Sequence, residues 1–282
     1  MRTADNEQIP YLLSESDHES FYQLILSSGF ERVSRGKANP IAYFLGAQPG
    51  SGKTILRQAL GQYGEAVVVN TDDLRWFHPK FNSLLEDLAS NERASYRVNP
   101  DSVEWSSRLF NDAVNARCNI ILDSTLGGNV NHFISRLTSL KEAGYRNEIH
   151  LLAVNSRVSR LGIYYRFETG AIFGIRERMV SMDVHNRNYH ALPDNLMLIA
   201  NQCSNTIDRL VIYSRSESLG LNEIYSSQNP VAFESAIELL RSERERKFTE
   251  LEEENFQKTI AKVSDLIEKR GGDLQRFLAD IQ

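Results

Sequence analysis

Between residues 41 and 213, short apolar runs alternate with stretches of helical spacing. The runs at 41–45, 66–70, 119–123, 148–154 and 209–213 are brief, and several are rich in Val and Ile, so each predicts a buried strand. Between them, apolar positions recur at helical period over 55–62, 103–116, 130–143 and the longer region 156–205. An earlier helix is predicted over 17–28, with Phe21, Leu24 and Ile25 on one face, Ser16 or Asp17 as N-cap and Gly29 as stop. Strands alternating with helices predict an α/β fold with a mostly parallel sheet covered on both faces. Ligands of such sheets sit beyond the carboxyl ends of the strands, which gives the residues after each strand special weight.

The flanks read differently. Residues 1–15 are expected to be poorly ordered, and the polar stretch 34–40 links to the first strand. From residue 230 the chain is helical and highly charged: one helix is predicted over 233–254 and another over 256–269, ended by Gly271-Gly272. The run from Arg241 to Lys247 reads as a solvated face laced with i,i+4 pairs. The expected organisation is an N-terminal helical segment (1–40), a core (41–225) with an arginine-rich lid (157–190), and a C-terminal helical extension (226–282).

The 282 residues are 41% hydrophobic, enough for a large core, and carry a net charge of −5. That balance offers no global attraction for nucleic acid, and no DNA partner is expected. Cys118 and Cys203 match no metal spacing and read as buried thiols in a reducing compartment. With no basic-then-apolar leader and no apolar run of membrane length, a soluble cytoplasmic protein without membrane contact is expected.

The most specific motif follows the first strand: Gly46-Ala47-Gln48-Pro49-Gly50-Ser51-Gly52-Lys53-Thr54. It is a phosphate-binding loop between a strand and a helix, whose glycines let backbone N–H groups turn around a polyphosphate. Lys53 supplies a positive charge near the β- and γ-phosphates, and the Thr54 hydroxyl suits Mg²⁺. Ala47 stands where the pattern has its first glycine, which is tolerable if that residue keeps negative φ.

The second strand ends in Asn70-Thr71-Asp72-Asp73. A carboxylate there can orient an acceptor hydroxyl and take its proton during phosphoryl transfer, or it can simply cap a turn. The following Leu74-Arg75-Trp76-Phe77-His78-Pro79-Lys80-Phe81 mixes aromatics with cations, as a ligand-facing surface or a half-buried cluster would. Asp123 ends the third strand like the acid of a Walker B motif, and Ser124, Thr125, Gly127 and Gly128 follow it. Arg157, Arg160, Arg166, Arg176, Arg178 and Arg187 crowd the place where phosphate-loop kinases cover the bound phosphates, and spacing alone does not choose among them. There is no Asn-Lys-x-Asp guanine-reading motif and no Gly-x-Ser-x-Gly elbow. His78, His150, His185 and His190 have no metal-ligand spacing.

These blocks in this order resemble the zeta toxin family, the kinase partners of bacterial toxin–antitoxin systems. The resemblance rests on the phosphate loop, on Val69-Asn70-Thr71-Asp72 with His78-Pro79 after it, and on Ile121-Leu122-Asp123-Ser124-Thr125. It extends to Tyr165-Arg166-Phe167-Glu168 and the segment 178–185, covering roughly residues 17–215. It implies a phosphate-loop kinase fold, a three-layer sandwich, that phosphorylates the 3′-hydroxyl of UDP-N-acetylglucosamine with ATP or GTP and Mg²⁺, poisoning cell-wall precursor synthesis. By position it assigns catalysis to Asp72, choosing it over Asp73, with Lys53, Arg166 and Arg178. It assigns the nucleotide to Gly46 through Thr54, and sugar-nucleotide contacts to Asp72, His78, Asp123 and Thr125. Asp123 stands where many members have Glu, and Ser124 where they have Gly, so Asp123 reaches about one methylene less far. The resemblance also implies a small helical antitoxin that blocks the nucleotide site; the helix around Phe21 is expected to pack on the domain.

Overall fold

The computed structural model describes residues 10–62, 66–86, 91–175, 177–215, 220–228 and 231–282. Six strands form one sheet in the order β2-β3-β1-β4-β5-β6. They are β1 (Ile41–Gly46), β2 (Ala66–Val69), β3 (Asn119–Asp123), β4 (Arg146–Leu152), β5 (Arg209–Arg215) and β6 (Leu221–Gln228). The first five run parallel, so their carboxyl ends share one edge, with β1 between β3 and β4. β4 begins two residues earlier than expected, where Arg146 and the buried polar Asn147 pair with Ile41 and Ala42, and it ends at Leu152. β6 pairs antiparallel to β5 across a bulge and was not expected; its polar, half-exposed sequence lacks a core strand's apolar signature.

Alternate strand residues face two cores. Ala42 and Phe44 join Ile120, Leu122, Ile149, Leu151, Leu210 and Ile212 on one face. Covering that face are α1 (Glu15–Gly29), α5 (Ala94–Asn115), α6 (Val130–Glu142), α8 (Met182–Cys203) and α9 (Phe233–Glu245). Tyr43 and Leu45 face the other side, under α2 (Lys53–Gln62) through Leu56 and Leu60. This is the three-layer sandwich of phosphate-loop kinases, with helices distributed unevenly over the two faces.

Several boundaries differ for local reasons. Residues 10–14 are held rather than loose: Tyr11 N–H donates to Arg97 O at 2.8 Å, and Ser14, not Ser16 or Asp17, caps α1. Residues 1–9 lie outside the described residues. α5 starts at Ala94 although Pro100 lies inside it. The carbonyl that proline frees is that of Tyr96, which is exposed, so water can satisfy it. The region 156–205 is two helices, α7 (Ser156–Ile172) and α8, separated by a turn with Gly174 at φ 66°. The charged stretch also divides: α9 ends at Glu245, and a capping box between Thr249 and Glu252 starts α10 (Glu250–Arg270). Gly271, at φ 71°, ends α10 as expected. Within the charge run Arg244 is buried, its guanidinium 3.6 Å from the Tyr189 ring centre, so that face is only partly solvated.

The last helices build a separate small core. Phe256, Val263 and Ile267 of α10, with Phe277 and Ile281 in and after α11 (Leu274–Asp280), pack on Leu161, Ile163 and Tyr164 of α7 and on Met179 and Val180. Arg270 clamps the buried Glu168 of α7 through two bonds of 2.9 and 2.7 Å. Since Phe277 is fully buried, Phe277→Ala is expected to destabilise the fold by about 3–5 kcal/mol in urea unfolding. A loss below about 1 kcal/mol would mean that this core contributes little.

Candidate functional site

β1 delivers the chain into the loop at Gly46, and α2 begins at Lys53, so the loop lies at the carboxyl edge of the sheet. Ala47 is fully buried and keeps a negative φ, which meets the condition for a side chain there. Gln48 is buried and donates to Val154 O at 2.8 Å and to Ser159 Oγ at 3.1 Å. Ser159 Oγ in turn lies 2.7 Å from Nε2 of buried His185, whose pKa burial pushes down. The loop therefore touches α7 directly and α8 through Ser159. At the crossing a methyl on Gly50 would fall 2.0 Å from Ser159 O, and one on Gly162 would fall 2.3 Å from Gly50 O. Gly50 also has φ 77°, so both space and conformation demand glycine.

On the other flank, Asp123 is held by one ion pair and two hydrogen bonds. Lys53 Nζ is 3.0 Å from Oδ1, while Arg57 Nη1 and Asn70 Nδ2 donate to Oδ2 at 3.1 and 2.9 Å. Lys53 also donates to Ser124 O at 2.6 Å. Arg57 bridges on to Asp73, whose carboxyl burial raises above its ordinary range against the pull of Arg57. The short α3 (Thr71–Leu74) is capped by Asn70, which accepts from Asp72 N–H at 2.8 Å. Neither Asp72 nor Asp73 is the cap, so the capping alternative for these carboxylates falls away.

Asp72 lies in an atom-dense cleft with its side chain 64% exposed and paired with Arg75. Burial on its own would raise its pKa, but Arg75, Arg178, Lys53 and Arg166 together hold it below the usual carboxylate range. The cations expected from the loop and the lid thus converge on one carboxylate. Arg166 sits on α7 and pairs with Glu177 at 3.4 Å; Arg178 follows the turn after α7, and burial lowers its pKa. The other lid arginines do different work. Arg157 stacks on Phe256 at 4.6 Å, Arg160 bonds Asn186 and Asp280, and Arg187 is exposed. Arg176 lies outside the described residues.

Two residues expected to contact the sugar nucleotide are placed otherwise. His78 has a fully buried side chain: Nδ1 accepts from Lys80 N–H at 3.2 Å, and Nε2 faces Tyr11 O at 3.2 Å and Asp101 at 3.5 Å. The turn after α3 aims it inward, so it fastens the N-terminal segment to α5 instead of facing the cleft. Asp123 is 4% exposed on its side chain and already engaged by its cations. Thr125 donates to Asn188 of α8 and accepts from Gly127 N–H at 3.3 Å. Next to it Leu126 is buried at φ 53°, a strained conformation pinned by Asn195, which donates to Leu126 O at 2.8 Å. Arg57, Asn70, Arg75 and Asn188 were missed by the sequence reading. Arg57 carried a signal four residues after Lys53 on the same helical face, Arg75 one in the mixed aromatic and cationic stretch 74–81, and Asn70 stood in the quoted motif without a role.

The residues present fit a phosphate ligand and Mg²⁺. Ser51 Oγ in the loop is buried with no hydrogen-bond partner, and Thr54 is exposed at the start of α2. Asp123 Oδ1 also accepts no hydrogen bond. Among the described residues no three His, Cys, Asp or Glu side chains form a metal-binding group. Protein usually holds Mg²⁺ through one or two groups, with substrate phosphates completing its shell. Cys118 and Cys203 are free and buried. No helix among the described residues is long and apolar enough to cross a membrane.

Fold and site define a phosphate-loop protein of the kinase type. The profile of the zeta toxin family matches residues 28–229, and the chain belongs to that family. It is 30% identical to toxin zeta of Enterococcus hirae over 188 residues, which are 64% of this chain and 65% of that protein. The chain thus spans just under two thirds of that relative's length. It is 24% identical to toxin PezT of Streptococcus pneumoniae over 89% of this chain and 97% of that one. Among solved structures, a chain from the characterization of the PezAT chromosomal toxin-antitoxin system of Streptococcus pneumoniae has the same fold. It superposes with a TM-score of 0.76 at 21% identity, covering 91% of this chain and 99% of that one. A chain of AvrRxo1-ORF1:-ORF2 with ATP reaches a TM-score of 0.55 at 16% identity, over 94% and 83%.

Gly50→Ala tests the crossing of loop and α7. It is expected to lower the melting temperature by several degrees, and an unchanged melting temperature would contradict the tight crossing.

Proposed function

We propose that the chain is a zeta-type kinase that transfers the γ-phosphoryl of ATP or GTP to the 3′-hydroxyl of UDP-N-acetylglucosamine and so blocks cell-wall precursor synthesis. The observation that carries the reading is Asp72 at the carboxyl edge of the sheet, paired with Arg75 and stabilised as an anion by Arg178, Lys53 and Arg166. Phosphoryl transfer needs positioning and charge neutralisation more than covalent help. Lys53 and the N-terminus of α2 face the β- and γ-phosphates, while Arg166 and Arg178 neutralise charge on the transferring group from the lid side. Asp72 orients the acceptor hydroxyl and receives its proton as the bond to phosphorus forms. Bound phosphates would draw the cations off Asp72, which raises its basicity at the moment it is needed. Thr54 and Asp123 are the groups that would hold Mg²⁺, which would supply neutralising charge for the phosphates.

A second reading, phosphorylation of another small alcohol, is favoured by the inward placement of His78 and the engagement of Asp123. These leave the sugar-nucleotide contacts to Asp72 and Thr125. We also propose a small helical antitoxin as partner. The reading is supported by the family and by the likeness to a structure from the PezAT toxin-antitoxin system.

Incubation with Mg-ATP and a panel of UDP-sugars should yield UDP-N-acetylglucosamine heavier by one phosphoryl group in mass spectrometry. ATP hydrolysis with no sugar modified would reject the leading reading. Asp72→Asn should lower kcat by about 10²–10⁴-fold and keep ATP binding, whereas Lys53→Ala should weaken ATP binding as well. Near-normal turnover by Asp72→Asn would remove the base assignment. Its cations hold Asp72 below the ordinary carboxylate range, which favours its ionised form. The profile of kcat/KM should therefore show no acid limb from this group between pH 5 and 8; a limb with its midpoint near 6 would contradict this.

A further inference from the structure

The edge of the sheet carries one more cation than these roles use. Arg215 is the last residue of β5 and is half-buried. Its guanidinium flanks the phosphate loop: a Cβ built on Gly52 would lie 3.5 Å from Arg215 Cζ, 3.6 Å from Nε and 3.8 Å from Nη2. Gly52 immediately precedes Lys53, the first residue of α2. The guanidinium therefore stands beside a helix N-terminus, whose unpaired N–H groups carry partial positive charge, and close to the Lys53 backbone.

The neighbouring cations have carboxylate partners: Lys53 has Asp123, Arg57 has Asp73, Arg75 has Asp72 and Arg166 has Glu177. Among the described residues, no hydrogen bond or ion pair reaches the Arg215 side chain. Burial lowers its pKa with no charge opposing, which is the signature of a cation held without a counter-ion. A desolvated guanidinium beside a positive helix end is unfavourable until an anion joins both.

The sheet order says which anion. Asp72 follows β2 and Asp123 ends β3, so both carboxylates lie on one flank of β1. β5 lies on the opposite flank, beyond β4. An in-line transfer toward Asp72 leaves the departing nucleotide on the side away from it. We propose that Arg215 is a binding residue for the donor's diphosphate, pairing with its oxygens from the β5 side of the loop. This rests on the kinase reading above, and adds to it a contact on the leaving group.

Isothermal titration with Mg-ADP tests the inference. Arg215→Gln should weaken ADP binding about tenfold or more, with Arg215→Lys recovering part of the loss and the KM for the acceptor staying within twofold. In the unsubstituted protein, saturating ADP should protect Arg215 from phenylglyoxal, read by peptide mass mapping, and that readout does not depend on a variant folding. ADP affinity of Arg215→Gln within twofold of the parent, or equal modification of Arg215 with and without ADP, overturns the proposal while leaving the kinase reading intact. Failure of the parent chain to bind ADP or ATP overturns both.

Discussion

At one crossing the phosphate loop and α7 meet backbone to backbone, and the placement of the lid follows from it. Neither Gly50 nor Gly162 has a side chain, and a single methyl on either would run into the other strand's carbonyl. The contact fixes the distance between the loop and the helix that bears Arg166, and the Gln48–Ser159–His185 chain of contacts fixes its rotation. Interiors packed to crystal density transmit such constraints without slack, so a charge one turn further along α7 is set by what happens at Gly162.

The C-terminal helices act on the same helix from behind. Their small core holds Leu161, Ile163 and Tyr164 of α7, and also Met179 and Val180 on either side of the lid turn's end. Arg178 immediately precedes that pair in the chain, so its backbone is anchored even though the turn itself is not regular structure. The C-terminal helices thus buttress α7 and the residues just before α8. They lie on the sequence far from the chemistry, and reach it through packing alone.

Electrostatics in the cleft is arranged as a set of exchanges. Asp123 neutralises Lys53 and Arg57, and Asp72 neutralises Arg75. A polyphosphate entering this cleft competes with carboxylates for cations already positioned, which costs little reorganisation. In the absence of phosphates these pairs keep the cluster of positive charge from disrupting the loop.

The sequence by itself determined five of the sheet's six strands, the phosphate loop and the roster of charged residues. Those features are local: five apolar runs announce five strands, and the spacing of Gly46 through Thr54 needs no distant partner to be read. It even carried the choice of Arg166 and Arg178, through likeness to a family and not through spacing. Tertiary structure alone decided what each charge faces. His78 points into the core because the turn after α3 directs it there, and Asp123 is enclosed because Arg57 and Asn70 arrive from α2 and the end of β2. β6 exists because β5 offers an edge, while its own residues are too polar to announce a strand. Arg215 becomes meaningful only when parallel strands two places apart bring their ends to the same edge. Periodicity records which face of an element is buried; it holds no information about which other element comes to meet that face.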